Sequence, residues 1–227
     1  MQPYFFPYIG YWQMIHAADR FVIYDDVNFI KNGWINRNRI LINGEPCYIT
    51  APLFQASPFK KICDTSMQPS TFWRKKLIKM LETTYRRAPF FDSVFPVISN
   101  LINHETDNLA DYIANQLQTL SKVMGIQTEF VVSSRSYRNN DLSGRDRVLD
   151  ICKKEEASTY INAIGGMDLY SKEHFSNNEV DLFFIKPKSL DYKQFNAAFV
   201  PWLSIIDILM FNSLNTVQQM LCEYDLV

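Results

Sequence analysis

The sequence predicts an α/β fold: a partly parallel, Rossmann-like sheet with an antiparallel hairpin and a helical insertion. Three observations carry this. Beyond residue 125, strand-like apolar runs alternate with helical patterns in the order IQTEFVVSS, GRDRVLDICKKE, STYINAIGG, MDLYSKEHF and VDLFFIKP, as parallel βαβ units require. Asn43-Gly44 divides the β-favouring run RILINGEPCYITAP, and both residues tolerate the positive φ of a type I′ hairpin turn. Residues 71–124 show helical spacing throughout. At 227 residues and 47% hydrophobic, the chain can bury a full core as one domain, 1–227, with 71–124 as a helical insertion or lid.

The elements follow in order. After Pro7, the residues Ile9, Trp12, Met14, Ile15 and Ala18 fall at near-helical spacing and predict a helix over 9–18. Phe21 to Tyr24 form a short apolar strand that ends in Asp25-Asp26, and the hairpin comes next. Helices are expected at 71–87, 90–103 and 107–124; Trp73, Leu77, Met80, Leu81 and Tyr85 make the first one's apolar stripe, Asp107 caps the third, and Gly125 stops it. Strands near 127–133, 158–163 and 181–185 are expected to join the one near 20–25 in a single sheet. Ser204 and Asp207 form an S-x-x-D capping box before an apolar helix through about Asn212, and another short helix closes the chain.

Composition narrows the partners. With 23 basic and 24 acidic residues the net charge is −1, which gives no global field for duplex nucleic acid. Cys47, Cys63, Cys152 and Cys222 are widely spaced without a C-x-x-C pair, and His16, His104 and His174 do not cluster with them, so no zinc-ligand spacing is present. No basic-then-apolar leader opens the sequence and no apolar run approaches the roughly 18–20 residues of a membrane span. A reduced, cytoplasmic protein is the expectation.

Residues 2–38 hold the densest chemistry. Tyr4, Phe5, Phe6, Tyr8, Tyr11 and Trp12 offer flat, partly polar faces for a sugar or base, while Asp25 and Asp26 stand where a strand ends. In open α/β sheets ligands bind there. The segments QPYFFPYIGYW and AADRFVIYDDVNFIKNGWINRNRI resemble the opening signature of the WbqC-like proteins, and FWRKKLIKMLETTYRRAPFFDSVFP, SGRDRVLDICKKEEASTYINAIGGMDLY and FVPWLSIIDILMFN are similar to later blocks of that family. The resemblance implies a role in O-antigen or other bacterial surface polysaccharide synthesis. It implies transfer of an acyl or aminoacyl (glycyl) group to a nucleotide-linked amino sugar, with that sugar, an activated acyl donor and polysaccharide-assembly proteins as partners. No cofactor is named by it. Family members carry a short apolar strand before the QP motif, whereas Met1 directly precedes Gln2 here, so that strand is expected to be truncated, upstream of this numbering or missing.

Several side chains are candidates for the chemistry. Asp26 is the favoured general base and Asp25 its neighbour; alternatively one carboxylate pairs with Arg37 or Arg39 and the other caps a loop. Adjacent strand residues point to opposite sides, so the two share a ligand only if the strand has already ended. Gln2, Tyr4, Tyr8, Gly10 and Tyr11 are candidate substrate contacts, as are Lys31, Trp34, Asn36, Arg37 and Asn38, which supply donors for phosphate or sugar oxygens around an indole. In residues 133–147, between a strand and a helix, Ser143 or Ser134 would donate hydroxyls and Arg145 supply charge to an anion near a helix N-terminus, although polar loops and caps account for these residues nearly as well. Gly165-Gly166 permits close backbone approach to phosphate, or simply a tight turn, and Arg74 lies off its helix's apolar stripe.

Two other activities fit the same residues. Pro7-Tyr8-Ile9-Gly10-Tyr11 is placed like the H-x-G-H phosphate loop of nucleotidylyltransferase-like enzymes, which would make the protein an ATP-dependent carboxylate-activating enzyme; tyrosines at both histidine places lack the cationic donor. A non-catalytic glycan or sugar-nucleotide binding protein is the other alternative.

Overall fold

The computed structural model describes residues 1–195 and 198–227. The chain is α/β: α1 (Ile9–His16), β1 (Arg20–Val22), β2 (Arg37–Ile42), β3 (Glu45–Thr50), β4 (Leu53–Phe54), β5 (Ser66–Met67), α2 (Phe72–Tyr85), α3 (Phe91–Asn103), α4 (Leu109–Met124), β6 (Glu129–Val131), α5 (Gly144–Lys154), β7 (Thr159–Ala163), α6 (Lys172–Ser176), β8 (Asp181–Pro187), α7 (Ile205–Phe211), α8 (Leu214–Leu221) and β9 (Tyr224–Leu226). Parallel pairing joins β1 to β6 and β7 to β8, and β9 adds an antiparallel edge to β8. The four parallel strands therefore form two separate sheets among the described residues, where one had been expected. On the β1 edge away from β6, the Met1 nitrogen donates to the Val22 carbonyl and the Tyr24 amide donates to the Met1 carbonyl, both at 2.8 Å, which is a parallel pairing one residue long.

Local chemistry explains most boundaries. Asn43 and Gly44 both take positive φ, 52° and 83°, and the β2–β3 hairpin closes over them in the expected register. Gly125 ends α4 at φ 76°, but the helix is capped by Asn108, whose side chain accepts from the Ala110 and Asp111 amides, and not by Asp107. Ser204 caps α7 by accepting from the Ile206 amide. Its presumed partner Asp207 does not reach back, because it is fully buried and accepts from Tyr85 and Tyr192 instead.

One large core holds most of this together. It joins Trp12 and Ile15 of α1, Leu77 and Leu81 of α2, Ile98 and Ile102 of α3, Tyr112 and Leu117 of α4, and Ile206 and Leu209 of α7. The helical stretch 71–124 thus contributes directly to the main core. A smaller cluster, including Val148, Cys152, Phe175, Leu182 and Phe184, packs α5 and α6 onto β8. Among the described residues no helix is long and apolar enough to cross a membrane.

Candidate functional site

The parallel strands β1, β6 and β7 run out into Asp25-Asp26, Ser133-Ser134 and Gly165-Gly166 respectively, so the polar residues follow the carboxyl ends of the strands. β1 has already ended when the chain reaches Asp25, which lets both carboxylates meet one serine. The Ser134 amide donates to Asp25 Oδ1 at 3.0 Å, and its hydroxyl proton is shared between Asp25, at 3.2 Å, and Asp26. Ser133 Oγ lies 2.9 Å from both oxygens of Asp25. In return the Asp25 amide donates to Ser134 Oγ at 3.2 Å.

Asp26 also accepts from Arg147 of α5, 121 residues away in sequence, and both side chains are buried. The guanidinium is steered from three sides. Its Nε donates to Asn139 Oδ1 at 3.0 Å, its Nη2 to Asn140 Oδ1 at 2.9 Å, and its Cζ lies over the Tyr24 ring, 4.9 Å from the ring centre. Asn139 in turn donates to Asp150 Oδ2 at 2.6 Å. Such fixed charge-assisted bonds hold a buried arginine in one geometry.

The two adjacent carboxylates, exposed by only 1% and 3%, have opposite electrostatics. For Asp25, burial pushes the pKa above the usual carboxylate value and outweighs the bonds from Ser133 and Ser134. For Asp26, burial pushes the same way, but the Ser134 bond and the Arg147 bond and charge together hold it below that value. Cys63 lies beside them, its amide donating to the Asp25 carbonyl at 2.9 Å. Burial, then the Asp25 charge, push its thiol up to about 11, so it is no thiolate nucleophile at neutral pH. Tyr24 is half-buried beside Arg147, and burial raises its hydroxyl pKa against the opposing Arg147 charge.

Gly165 faces open space, whereas a Cβ on Gly166 would lie 2.7 Å from Asn162 Nδ2, so Gly166 serves turn packing. Gly10 is required at the start of α1, since a Cβ there would meet Tyr8 Cε2 at 2.5 Å and Pro187 Cγ at 2.8 Å. That contact brings Tyr8 and Gly10 to the end of β8. Tyr4 and Tyr8 are half-buried, but Tyr11 is in the core, its ring tilted against that of Tyr4 with centres 5.3 Å apart and its hydroxyl donating to the Gln2 carbonyl at 2.8 Å.

The 31–38 segment divides in the same way. Lys31 is exposed, and Trp34 stacks on Tyr48 with ring centres 6.2 Å apart. Asn36 Nδ2 donates to the Ala51 carbonyl at 3.0 Å, and Arg37 donates to the Gly33 carbonyl at 3.1 Å and to that of Asn32. Asn38 is buried and ties the carbonyls of Phe5 and Phe6, at 3.1 and 2.8 Å, across to β2. Neither Arg37 nor Arg39 pairs with Asp25 or Asp26. Arg74 is buried in the first turn of α2, its Nη2 3.4 Å from the His104 carbonyl and its guanidinium over the Trp73 ring. Arg145 stays on the solvent side of α5, 3.9 Å from the exposed Asp146.

Arg147, Ser133 and Asn139 therefore complete the site beyond the residues singled out from sequence. The available signal was a charge on an apolar stripe, since Arg147 falls with Val148, Ile151 and Cys152 on the buried side of α5. Among the described residues no three His, Cys, Asp or Glu side chains converge as a metal site.

The sequence model of the WbqC-like protein family matches residues 2–219. A relative in Mycobacterium tuberculosis (strain ATCC 25618 / H37Rv), named Uncharacterized protein Rv1507c, is 26% identical over 211 residues, covering 92% of this chain and 90% of its own length. No solved structure matches.

Proposed function

The chain belongs to the WbqC-like protein family, and on that basis we propose that it transfers an acyl or aminoacyl group, such as glycyl, to the amino group of a nucleotide-linked sugar in bacterial surface polysaccharide synthesis. The observation that best supports the reading is the pair of buried carboxylates with opposed pKa shifts at the strand ends, braced by Ser134 and Arg147. In the proposed reaction the sugar amine attacks the acyl carbonyl, the new N–C bond forms, the donor's leaving group departs with its electron pair, and the amine proton passes to the carboxylate pair.

The environments divide the labour within that pair. Asp26 is the anion that fixes Arg147 and keeps positive charge near a donor oxyanion, while Asp25, whose raised pKa brings it nearer to neutral pH, is the better matched proton acceptor. Sequence favoured Asp26 for that second role, so both variants belong in the test. Purified protein is incubated with pooled nucleotide-linked amino sugars and activated acyl or aminoacyl donors, and products are read by mass spectrometry. Asp25→Asn and Asp26→Asn are each expected to lose about 10²–10⁴-fold in turnover with unchanged circular dichroism. Wild-type turnover by both variants removes the carboxylates from the reaction.

The near-complete burial of both carboxylates also favours a second reading, a non-catalytic sugar-nucleotide binding protein. Ligand binding without product from any donor, surviving Asp26→Asn, decides for it.

A further inference from the structure

Trp202 is 57% exposed and has φ 61°, a conformation that is strained for any residue with a side chain and unusual for a bulky aromatic one. The strain is held from both sides. Leu203 and Ser204 beyond it are buried; the Ser204 amide donates to the Arg39 carbonyl at 2.8 Å and its hydroxyl to the Phe6 carbonyl at 2.7 Å. Before it, Gln194 brackets Val200, accepting from its amide at 2.8 Å and donating to its carbonyl at 3.0 Å. An indole so fixed, yet left largely in water, is a presented surface.

Its neighbours share that character. Tyr8 meets it edge-on with ring centres 5.8 Å apart, and Arg39 Nη2 points at the Trp202 carbonyl at 3.4 Å. The same guanidinium lies 5.6 Å from the ring centre of the exposed Trp34, so Arg39 joins that indole to the backbone of Trp202. Its Nε is buried and has no protein acceptor. Among the described residues no carboxylate stands within ion-pair range of Arg39. Arg37, by contrast, spends its donors on its own loop.

We propose that Trp202, Arg39, Trp34 and Tyr8 form a subsite for a phosphorylated ring, with the ring stacked on the Trp202 indole and the phosphate held by the Arg39 guanidinium. Aromatic faces take bases and sugars alike, and a guanidinium without a carboxylate partner selects for negative charge. Tyr8 adjoins Gly10 and Pro187 at the end of β8, which places the subsite beside the end of the molecule's second parallel pair. The inference deepens the transfer reading and rests on it only for the identity of the substrate that carries the phosphate.

Isothermal titration of the full chain with uridine diphosphate, glucosamine 1-phosphate, glucosamine and inorganic phosphate tests it, using Trp202→Gly, Trp202→Phe and Arg39→Lys. At least one phosphorylated ring is expected to bind the wild type more tightly than glucosamine or phosphate. Trp202→Gly should weaken that binding at least tenfold while the melting temperature holds or rises, because glycine is at ease at φ 61°. Trp202→Phe should retain part of the affinity, and Arg39→Lys should lose more for the phosphorylated ring than for glucosamine. Preference for uridine diphosphate assigns the stacked ring to a base, and preference for glucosamine 1-phosphate assigns it to a sugar. The proposal is overturned if neither phosphorylated ring binds, if phosphate alone binds as tightly, or if Trp202→Gly and Arg39→Lys both bind as the wild type does. Binding that depends on Trp202, without transfer from any donor, leaves the subsite standing and removes the transferase; transfer unchanged at limiting substrate in Trp202→Gly does the reverse.

Discussion

Asp26 and Asp207 are both buried aspartates that gather donors from distant parts of the chain, yet only one of them has a cation. Asp207 accepts from the Tyr85 and Tyr192 hydroxyls, each at 2.7 Å, and from Gln194 Nε2 at 2.9 Å. These neutral groups belong to α2 and to the segment between β8 and α7, so Asp207 fastens that segment to the helical core. Burial pushes its pKa up against the three donors, whereas Asp26 is held down by Ser134 and Arg147. At Asp207 the three neutral donors do not overcome burial, whereas at Asp26 the Ser134 bond joined by the Arg147 bond and charge does. The first arrangement is a brace, and the second maintains charge at the strand ends.

The sharpest way to break the contrast is Arg147→Met. It leaves Asp26 buried without its cation, and removing one member of a buried pair costs about 3–5 kcal/mol. Urea unfolding should show that loss, and ligand binding at the strand ends should fall with it. The Arg147→Met/Asp26→Asn double variant should recover part of the stability, because no uncompensated charge remains. A double variant that is as unstable as the sum of the two singles would show that the pair's charge is not what matters.

Asp207→Asn should cost less, roughly 1–3 kcal/mol, since an amide oxygen still accepts one bond while another donor loses its partner. Turnover should persist, but binding that depends on Trp202 should weaken, because Gln194 is the link between Asp207 and Val200. Equal loss of turnover in Asp207→Asn and Asp26→Asn would erase the distinction between brace and charged centre.

Acid separates the two centres by sign. The ordinary value is 3.8; Asp207 lies above it when folded, so its ionisation opposes folding at neutral pH and that penalty disappears as pH falls through its raised pKa. Asp26 lies below 3.8, so its contribution is present above that value and is lost as pH falls through its depressed pKa. Between pH 7 and 4, the stability advantage of wild type over Asp207→Asn should therefore grow, whereas its advantage over Asp26→Asn should stay level and shrink only below about pH 4. Urea midpoints measured across that range decide it, and parallel curves for the two variants would refute the assigned shifts.

How much of this was legible follows from how local each cause is. The Asn43-Gly44 turn and the Gly125 stop are set by φ at single residues, and both could be read directly. Asp25-Asp26 after an apolar run placed one side of the site, and Ser134 after another placed its partner. The Arg147 pairing was hidden because it spans 121 positions and because arginine on a helix is usually solvated. Tyr11 read as a binding face because it is one of a run of flat, partly polar aromatics, but seven of the eight residues of α1 are buried. Asp207 matched a capping spacing, and only tertiary structure showed two tyrosines competing for it. The single sheet was inferred from alternation, which gives strand direction but not which strands are neighbours.

The smallest expected effect concerns the other arginine of α5. Arg145 and Arg147 are two positions apart, which in a helix puts them on different sides, and only the second reaches Asp26. Arg145 has a loose contact with Asp146 at 3.9 Å, with side chains 56% and 65% exposed, and a solvated pair of this kind contributes about 0–1 kcal/mol. Arg145→Ala should therefore change stability by no more than about 0.5 kcal/mol, with ligand affinity and turnover at wild-type levels. A loss in binding comparable with that of Arg147→Met, at unchanged stability, would mean that the solvent side of α5 reaches the ligand and that the charged centre extends beyond the buried pair. Loss of stability without loss of binding would instead place Arg145 in helix support, and the contrast between Asp26 and Asp207 would stand unaltered.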